Sequence, residues 1–304
     1  MYPLIDLHCD TIYALEAGES HGSLIENDGH TDVRWMEMAG SITTTFALYV
    51  PLEQGIAPWE TVVRMHDRFL EEISLAGHRI GQVRTAEEIR NNPVQGALLS
   101  CEEFQILEGE LNRISILASW GVRMATLIWN KENDLAFPNH MSGGLKPFCY
   151  DVIAEMERHN ILVDVSHLND DGFYDVAKVA GRPFIASHSN CRAITNHSRN
   201  LSDAMIRKIA DAGGVVGLNF CPSFLSEDWE YSSLEAMVRH ACHLKQVGGS
   251  QAIAVRTDFD GIYGSLEIDH YSKMGRLWDA LAKKGFSPTD LEGMWCGNAL
   301  RVLA

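Results

Sequence analysis

Five short apolar runs in this chain each end in imidazole or carboxylate side chains. Pro3-Leu4-Ile5-Asp6-Leu7 runs into His8-Cys9-Asp10, and Gly96-Ala97-Leu98-Leu99-Ser100-Cys101 into Glu102-Glu103. Ile161-Leu162-Val163-Asp164-Val165-Ser166 stops at His167, and Pro183-Phe184-Ile185-Ala186-Ser187 at His188. Ile253-Ala254-Val255 passes through Arg256-Thr257 to Asp258-Phe259-Asp260-Gly261. Histidines and acids gathered at the ends of several strands are the means by which a barrel assembles a metal site. The chemistry they suggest is hydrolysis at two metal ions.

His8 and Asp10 are two apart on a strand, so their side chains share a face, while Ile5, Leu7 and Cys9 are expected to face the helices. A lone His-x-Asp, or a single strand-end His, is as well explained by structural hydrogen bonds. Two strand-end histidines, each after a Ser, together with His-x-Asp and a third-strand Glu, are not. Glu102 is the natural bridge, because a carboxylate has two oxygens and can span two cations ~3.5–4 Å apart. The first cation then takes His8, Asp10 and Glu102, and the second takes Glu102, His167 and His188. Such ligands with open positions suit two Zn²⁺, and Mn²⁺ or Fe²⁺ also fit. Glu103 is the rival bridge, but strand alternation points it the other way. Asp258 faces the same side as Ala254 and Arg256. An acid there can take a proton from an activated water and pass it to a leaving amine. Asp260 reads as a cap of the turn at Gly261. His240 and His243 lie three apart on a helix with no carboxylate to complete a site.

These residues need a scaffold that presents strand ends together. Eight candidate strands lie at about 3–8, 42–49, 96–101, 122–128, 161–166, 183–187, 214–219 and 252–257. Most are rich in Ile, Val, Leu or Ala, as befits strands buried on both faces. Helical patterns fill the gaps: 59–75, 108–120, 150–159, 170–180, 203–212, 233–247 and 272–284. Ser202-Asp203 and Ser287-Pro288-Thr289-Asp290 are helix starts. The alternation predicts an α/β fold, one (β/α)8 barrel over a single domain 1–304. Periodicity alone also allows an open doubly wound sheet. The ligand-type residues at the C-terminal strand ends decide for the barrel. The long gap from 50 to 95 should hold an extra helix or lid.

Composition narrows the function classes. The 304 residues are 46% hydrophobic and 22% charged, ample for a large core and unlike a disordered chain. A formal net charge of −16 disfavours nucleic-acid partners, which need concentrated Lys and Arg. Seven cysteines, scattered singly without a CxxC pair, argue against a disulfide framework and for reduced thiols in a cytoplasmic setting. With no leader pattern after Met1-Tyr2-Pro3 and no apolar stretch of ~18 residues, no membrane association is expected.

Taken together, seven segments resemble the membrane (renal) dipeptidases and their bacterial relatives in the amidohydrolase superfamily. They are Ile5-Asp6-Leu7-His8-Cys9-Asp10-Thr11, Leu99-Ser100-Cys101-Glu102, Val163-Asp164-Val165-Ser166-His167, Ala186-Ser187-His188-Ser189-Asn190, Ser198-Arg199-Asn200-Leu201-Ser202-Asp203, Asp258-Phe259-Asp260-Gly261 and Gly297-Asn298-Ala299-Leu300-Arg301. The resemblance implies a binuclear zinc centre with the ligands above. It implies hydrolysis of small dipeptides, often tolerating a D-residue on the C-terminal side, with a hydroxide shared by the metals as nucleophile. It makes Asp258 the proton shuttle, gives Arg199 the substrate's terminal carboxylate, and implies a homodimer. Arg192 is a second candidate for the carboxylate, and a helix-start salt bridge to Asp203 is the structural alternative for Arg199. Two positions depart from the family pattern. Trp129 stands where better-known members have a substrate-contacting His, and Arg256 where a small residue is usual. Asp6 and Asp164 are the candidate partners for a buried Arg256. Trp129 motivates a second reading, an amidase of N-acyl-D-amino acids on the same metals. Arg256 motivates a third, a non-catalytic small-molecule binder, which a site without metal and with Arg256 paired to Glu102 or Asp258 would favour.

Overall fold

A computed structural model describes residues 3–53, 55–227 and 229–304. Met1 and Tyr2, on which the expectation about a leader partly rests, lie outside these. The strands are β1 (Leu4–Cys9), β2 (Ile42–Tyr49), β3 (Ile80–Gln82), β4 (Gln95–Glu102), β5 (Val122–Thr126), β6 (Leu162–Asp164), β7 (Val216–Leu218), β8 (Tyr231–Ser232), β9 (Ile253–Val255) and β10 (Ser265–Leu266). The helices are α1 (Thr11–Ala17), α2 (Val33–Ala39), α3 (Pro58–Ala76), α4 (Ala86–Asn91), α5 (Arg113–Trp120), α6 (Pro147–Arg158), α7 (Asp170–Val179), α8 (Asp203–Asp211), α9 (Pro222–Leu225), α10 (Leu234–Gly248), α11 (Gly275–Lys283), α12 (Pro288–Glu292) and α13 (Asn298–Val302).

The main sheet is parallel, in the order β6-β5-β4-β2-β1-β9-β7, with β3 added beside the start of β4. Parallel bridges Asp164↔Ile185 and Ala186↔Val216 join β6 to β7 through residues 185–186 and close the ring. The strand expected at 183–187 therefore exists only as two bridges. Every residue of β1, β2 and β4 is buried, as a sheet covered by helices requires. Both expected helix starts are real. Ser202 caps α8 through the Met205 N–H, and Ser287 with Asp290 forms a capping box at α12.

The long gap holds α3, β3 and α4, so the extra helix is present, together with β3, an eighth strand of the sheet that the pattern does not show. The two-stranded ribbon β8–β10 was also not foreseen. Nor does simple alternation hold in β1. Ile5 and Leu7 pack with Leu98, Met124, Ile185 and Ala254, residues drawn from successive strands of the ring, so they fill its interior rather than face helices. Leu4 and Cys9 belong instead to the outer core with Ile42, Phe46 and Leu99. The β1–β2 register slips between Asp6 and Cys9. That irregularity shifts the parity, so Leu7 can fill the barrel and His8 can still turn toward its mouth. Among the described residues, no helix is long and apolar enough to cross a membrane.

Candidate metal centre

Glu102 ends β4 with its two carboxylate oxygens facing different histidines. Oε2 is 3.6 Å from His8 Nε2, while Oε1 is 3.1 Å from His167 Nε2 and 3.3 Å from His188 Nε2. His8 Nε2 lies 3.0 Å from Asp10 Oδ2. The His8 and His188 rings are 5.2 Å apart, and those of His167 and His188 4.7 Å. Two buried triads result, Glu102-His167-His188 and His8-Asp10-Asp258, each with its ligand atoms within 4.8 Å of one another. All five sequence-derived ligand candidates thus meet in one place, and Asp258 joins them. Glu103 turns away, accepting hydrogen bonds from the backbone of Gln105 and Trp129 and from Asn133.

Two buried aspartates position the strand ends. Asp6 Oδ1 accepts from the His8 and Thr257 N–H groups, and Oδ2 from the Thr257 and Tyr271 hydroxyls. Asp164 repeats the device: Oδ1 accepts from the Ser166 and Ser187 N–H groups, and Oδ2 from the Ser187 and Thr126 hydroxyls. Each carboxylate ties its own chain two residues on to the neighbouring strand, just where a ligand leaves it. Asp6 and Asp164 are therefore committed, and neither pairs with Arg256, contrary to expectation. His188 Nδ1 is 2.7 Å from Ser187 Oγ, and His167 Nδ1 is 3.0 Å from Asn130 Oδ1, which orients each Nε2 toward Glu102. His167 and Asp258 have left-handed backbone, φ 71° and 62°, turning both side chains sharply at the strand end. Asp260 does not cap the Gly261 turn. It holds the Thr11 hydroxyl and the His30 N–H, pinning α1 to the following loop.

The residues fit a bound cation. Asp10 Oδ1 is buried with no hydrogen-bond partner among the described residues. Burial, reinforced by Arg256, holds His8 down at about 3. Burial also keeps His167 and His188 well below the usual imidazole range, with Arg199 the next contributor at His167 and Arg256 at His188. All three are thus in the neutral, ligating form. Burial pushes the Asp10 and Glu102 carboxyls well up, aided by Asp258 at Asp10 and by Asp10 at Glu102. Positive charge placed between such groups restores them as carboxylates.

The sequence matches the model of the family "Membrane dipeptidase (Peptidase family M19)" over residues 1–304. The chain belongs to the membrane dipeptidase family. It is 32% identical over 246 residues to an uncharacterized protein of Klebsiella pneumoniae from the pqqA 5′ region, covering 75% of this chain and 91% of that one. An uncharacterized dipeptidase of Schizosaccharomyces pombe is 30% identical over 260 residues, 84% of this chain and 63% of its own length. A crystal structure of a metallopeptidase from Rhodobacter sphaeroides, liganded with a phosphinate mimic of the dipeptide L-Ala-D-Ala, superimposes with TM-score 0.90 at 25% identity, covering 99% of this chain and 98% of that one. An amidohydrolase from Burkholderia multivorans shares the barrel alone, with TM-score 0.52 and 14% identity over 89% of this chain and 86% of that one. The chain is a metal-dependent dipeptidase, a hydrolase of peptide bonds acting on small peptides.

In this dipeptidase Arg199 is buried, its Nη2 3.3 Å from the His188 carbonyl and its guanidinium 5.3 Å from the Phe224 ring centre. It makes no ion pair with Asp203, which pairs with His243 at 2.7 Å. Burial, then Arg256, draws Arg199 down to about 10. Arg192 is held by both oxygens of Asp170 at 2.7 and 2.8 Å, whereas Arg199 has no carboxylate within ion-pair distance among the described residues. A cavity of about 400 Å³ shares Asp170, Arg192 and Ser198 with a smaller one lined by His167 and Arg199. Trp129 is half-buried, 6.1 Å from the His167 ring and 5.0 Å from that of Tyr49. Tyr49 in turn meets Tyr13 edge-on at 4.8 Å. Asn219, which the linear pattern did not single out, donates to Asp258 Oδ2 at 2.9 Å. Arg256 is fully buried and pairs with Asp258 Oδ2 at 2.8 Å; that pairing, the one the binder reading looks for, here sits beside a complete set of ligand residues in a chain of the dipeptidase family.

Proposed function

We propose that this metal-dependent dipeptidase works with two divalent cations, zinc in the first instance, and cleaves L,L and L,D dipeptides. One observation carries the reading: the two oxygens of Glu102 divide between His8 on one side and His167 with His188 on the other. His8, Asp10 and Glu102 would hold one cation and Glu102, His167 and His188 the other. Bound there, such ions supply Lewis acidity toward the scissile carbonyl and a lowered pKa for water.

The chain's own residues supply the rest. Arg199 receives the substrate's terminal carboxylate. Its planar fork matches two oxygens, and no described carboxylate already pairs with it. That requirement favours dipeptides over longer chains. The Trp129–Tyr49–Tyr13 aromatic group, next to His167, offers an apolar wall for the substrate. Asp258, with Oδ2 held by Asn219 and Arg256, keeps Oδ1 to take a proton and deliver it to the departing amine. The L-Ala-D-Ala mimic on the Rhodobacter enzyme supports including D-residues at the C-terminal position. Seven free cysteines support a cytoplasmic enzyme, and the resemblance noted in the sequence implies a homodimer of one-domain chains.

The test is a dipeptide panel, L,L against L,D, on zinc-loaded enzyme, with tripeptides and N-acyl amino acids as controls. Arg199→Met should raise KM for dipeptides by about 100-fold with a smaller effect on kcat, and Asp258→Asn should lower kcat by 10²–10⁴-fold, estimated from general acid–base losses. Full turnover by Asp258→Asn, or equal cleavage of tripeptides, would remove the corresponding role.

A further inference from the structure

Arg256 lies against the ligand cluster, and the reaction above uses it only as a neighbour of Asp258. Its side chain is fully buried, with Nη1 2.8 Å from Asp258 Oδ2. None of Nε, Nη1 or Nη2 makes a directed hydrogen bond to a described residue. The fold makes room for it at Gly217, where a Cβ would come within 2.8 Å of the Arg256 Cβ. A guanidinium with unsatisfied donors is costly in a dry interior unless negative charge surrounds it. That charge is present in the buried carboxylates Asp10, Glu102 and Asp258. Arg256 and a single divalent cation neutralise those three. A second divalent cation leaves two positive charges over in the same buried pocket, before any anion joins it. Arg199 does not alter the count, because buried Asp164, 4.0 Å from His188 Nδ1, places one negative charge in the same pocket to offset it.

We propose that Arg256 makes the two cation positions unequal. The Glu102-His167-His188 triad takes a divalent cation tightly. The His8-Asp10 side, which adjoins Asp258 and the guanidinium that already neutralises it, takes one weakly. The inference rests on the two-cation reading and adds an order of filling to it. A fixed positive charge a few ångströms from a divalent ion weakens its binding by on the order of 100-fold or more at ordinary protein screening.

The experiment titrates metal-free enzyme with Co²⁺. Visible absorption follows each site, and elemental analysis after gel filtration counts the ions retained. Wild type should retain one equivalent and bind a second about 100-fold or more weakly. Arg256→Met, which keeps volume and removes charge, should bring the two affinities within about tenfold. Arg256→Lys should restore the gap. His188→Ala should abolish the tight site and His8→Ala should spare it. Two wild-type equivalents of similar affinity overturn the proposal without recourse to any variant, and so does an unchanged gap in Arg256→Met. Failure of wild type to bind any Co²⁺ overturns the metal reading itself, which separates the two failures.

Discussion

A Cβ at Gly261 would sit 2.0 Å from Asp10 Oδ2 and 3.2 Å from Asp258 Oδ1. Its φ is not in the left-handed region, so the glycine is required by crowding from the two carboxylates rather than by the backbone. Gly261→Ala should therefore leave the circular dichroism spectrum and the thermal midpoint nearly intact while lowering kcat/KM by about 100-fold, the cost of an ångström-scale misplacement. Wild-type kinetics in that variant would show that Asp10 is not held by this contact. The ligands themselves could be read from the chain, since each closes an apolar run. Asn130 and Asn219 could not. They act on His167 and Asp258 across 37 and 39 residues, and nothing local marks an Asn that orients a distant side chain.

At the level of elements, Asp164 joins the end of β6 to the residue-187 segment, where the ring is closed by single bridges. Asp164→Ala strands two N–H groups and two hydroxyls in the interior. It should lower the unfolding free energy by about 3 kcal/mol or more in urea, with Asp164→Asn recovering part of the loss. A loss under about 1 kcal/mol would mean that bridging alone closes the barrel. On α10, His240 is buried, with Nδ1 accepting from the Cys191 N–H and Nε2 3.0 Å from the Leu225 carbonyl. Burial lowers it to about 4. Its folded pKa lies below its unfolded one near 6.5, so the unfolded chain binds the proton first. Stability contributed by neutral His240 is whole above about pH 6.5 and is lost as pH falls toward about 4. Between pH 7 and pH 4.5 wild type should lose about 2–3 kcal/mol more than His240→Gln. Parallel losses in both would place the acid sensitivity elsewhere. The companion His243 pairs with Asp203, a carboxylate the linear pattern did not place beside it, but both His240 nitrogens are spent on backbone groups, so the two helical histidines are structural.

For the whole molecule, the proposed ligands come from positions 8 to 188, and only the closed barrel brings them together. A cation held by them binds the folded state and not the unfolded chain. Chelation should lower the thermal midpoint by about 5–10 °C, and adding zinc at roughly 100 times its dissociation constant should restore it. A midpoint indifferent to chelator would be inconsistent with the centre.

Strand-and-helix alternation was determined by local sequence, because buried parallel strands and amphipathic helices carry their own periodicities, and the ligand candidates at the strand ends, also legible there, favoured a barrel over an open sheet. The tertiary structure decided what depends on contacts across the ring. It decided the slipped register that sends Leu7 and His8 to the same interior, the added strand β3, and the closure through residues 185–186. It paired Arg256 with Asp258 and left Asp6 and Asp164 to staple strand ends. Hydrogen bonds and charges select partners by distance in space, and in this barrel Asp6 and Tyr271 share a hydrogen bond from 265 positions apart.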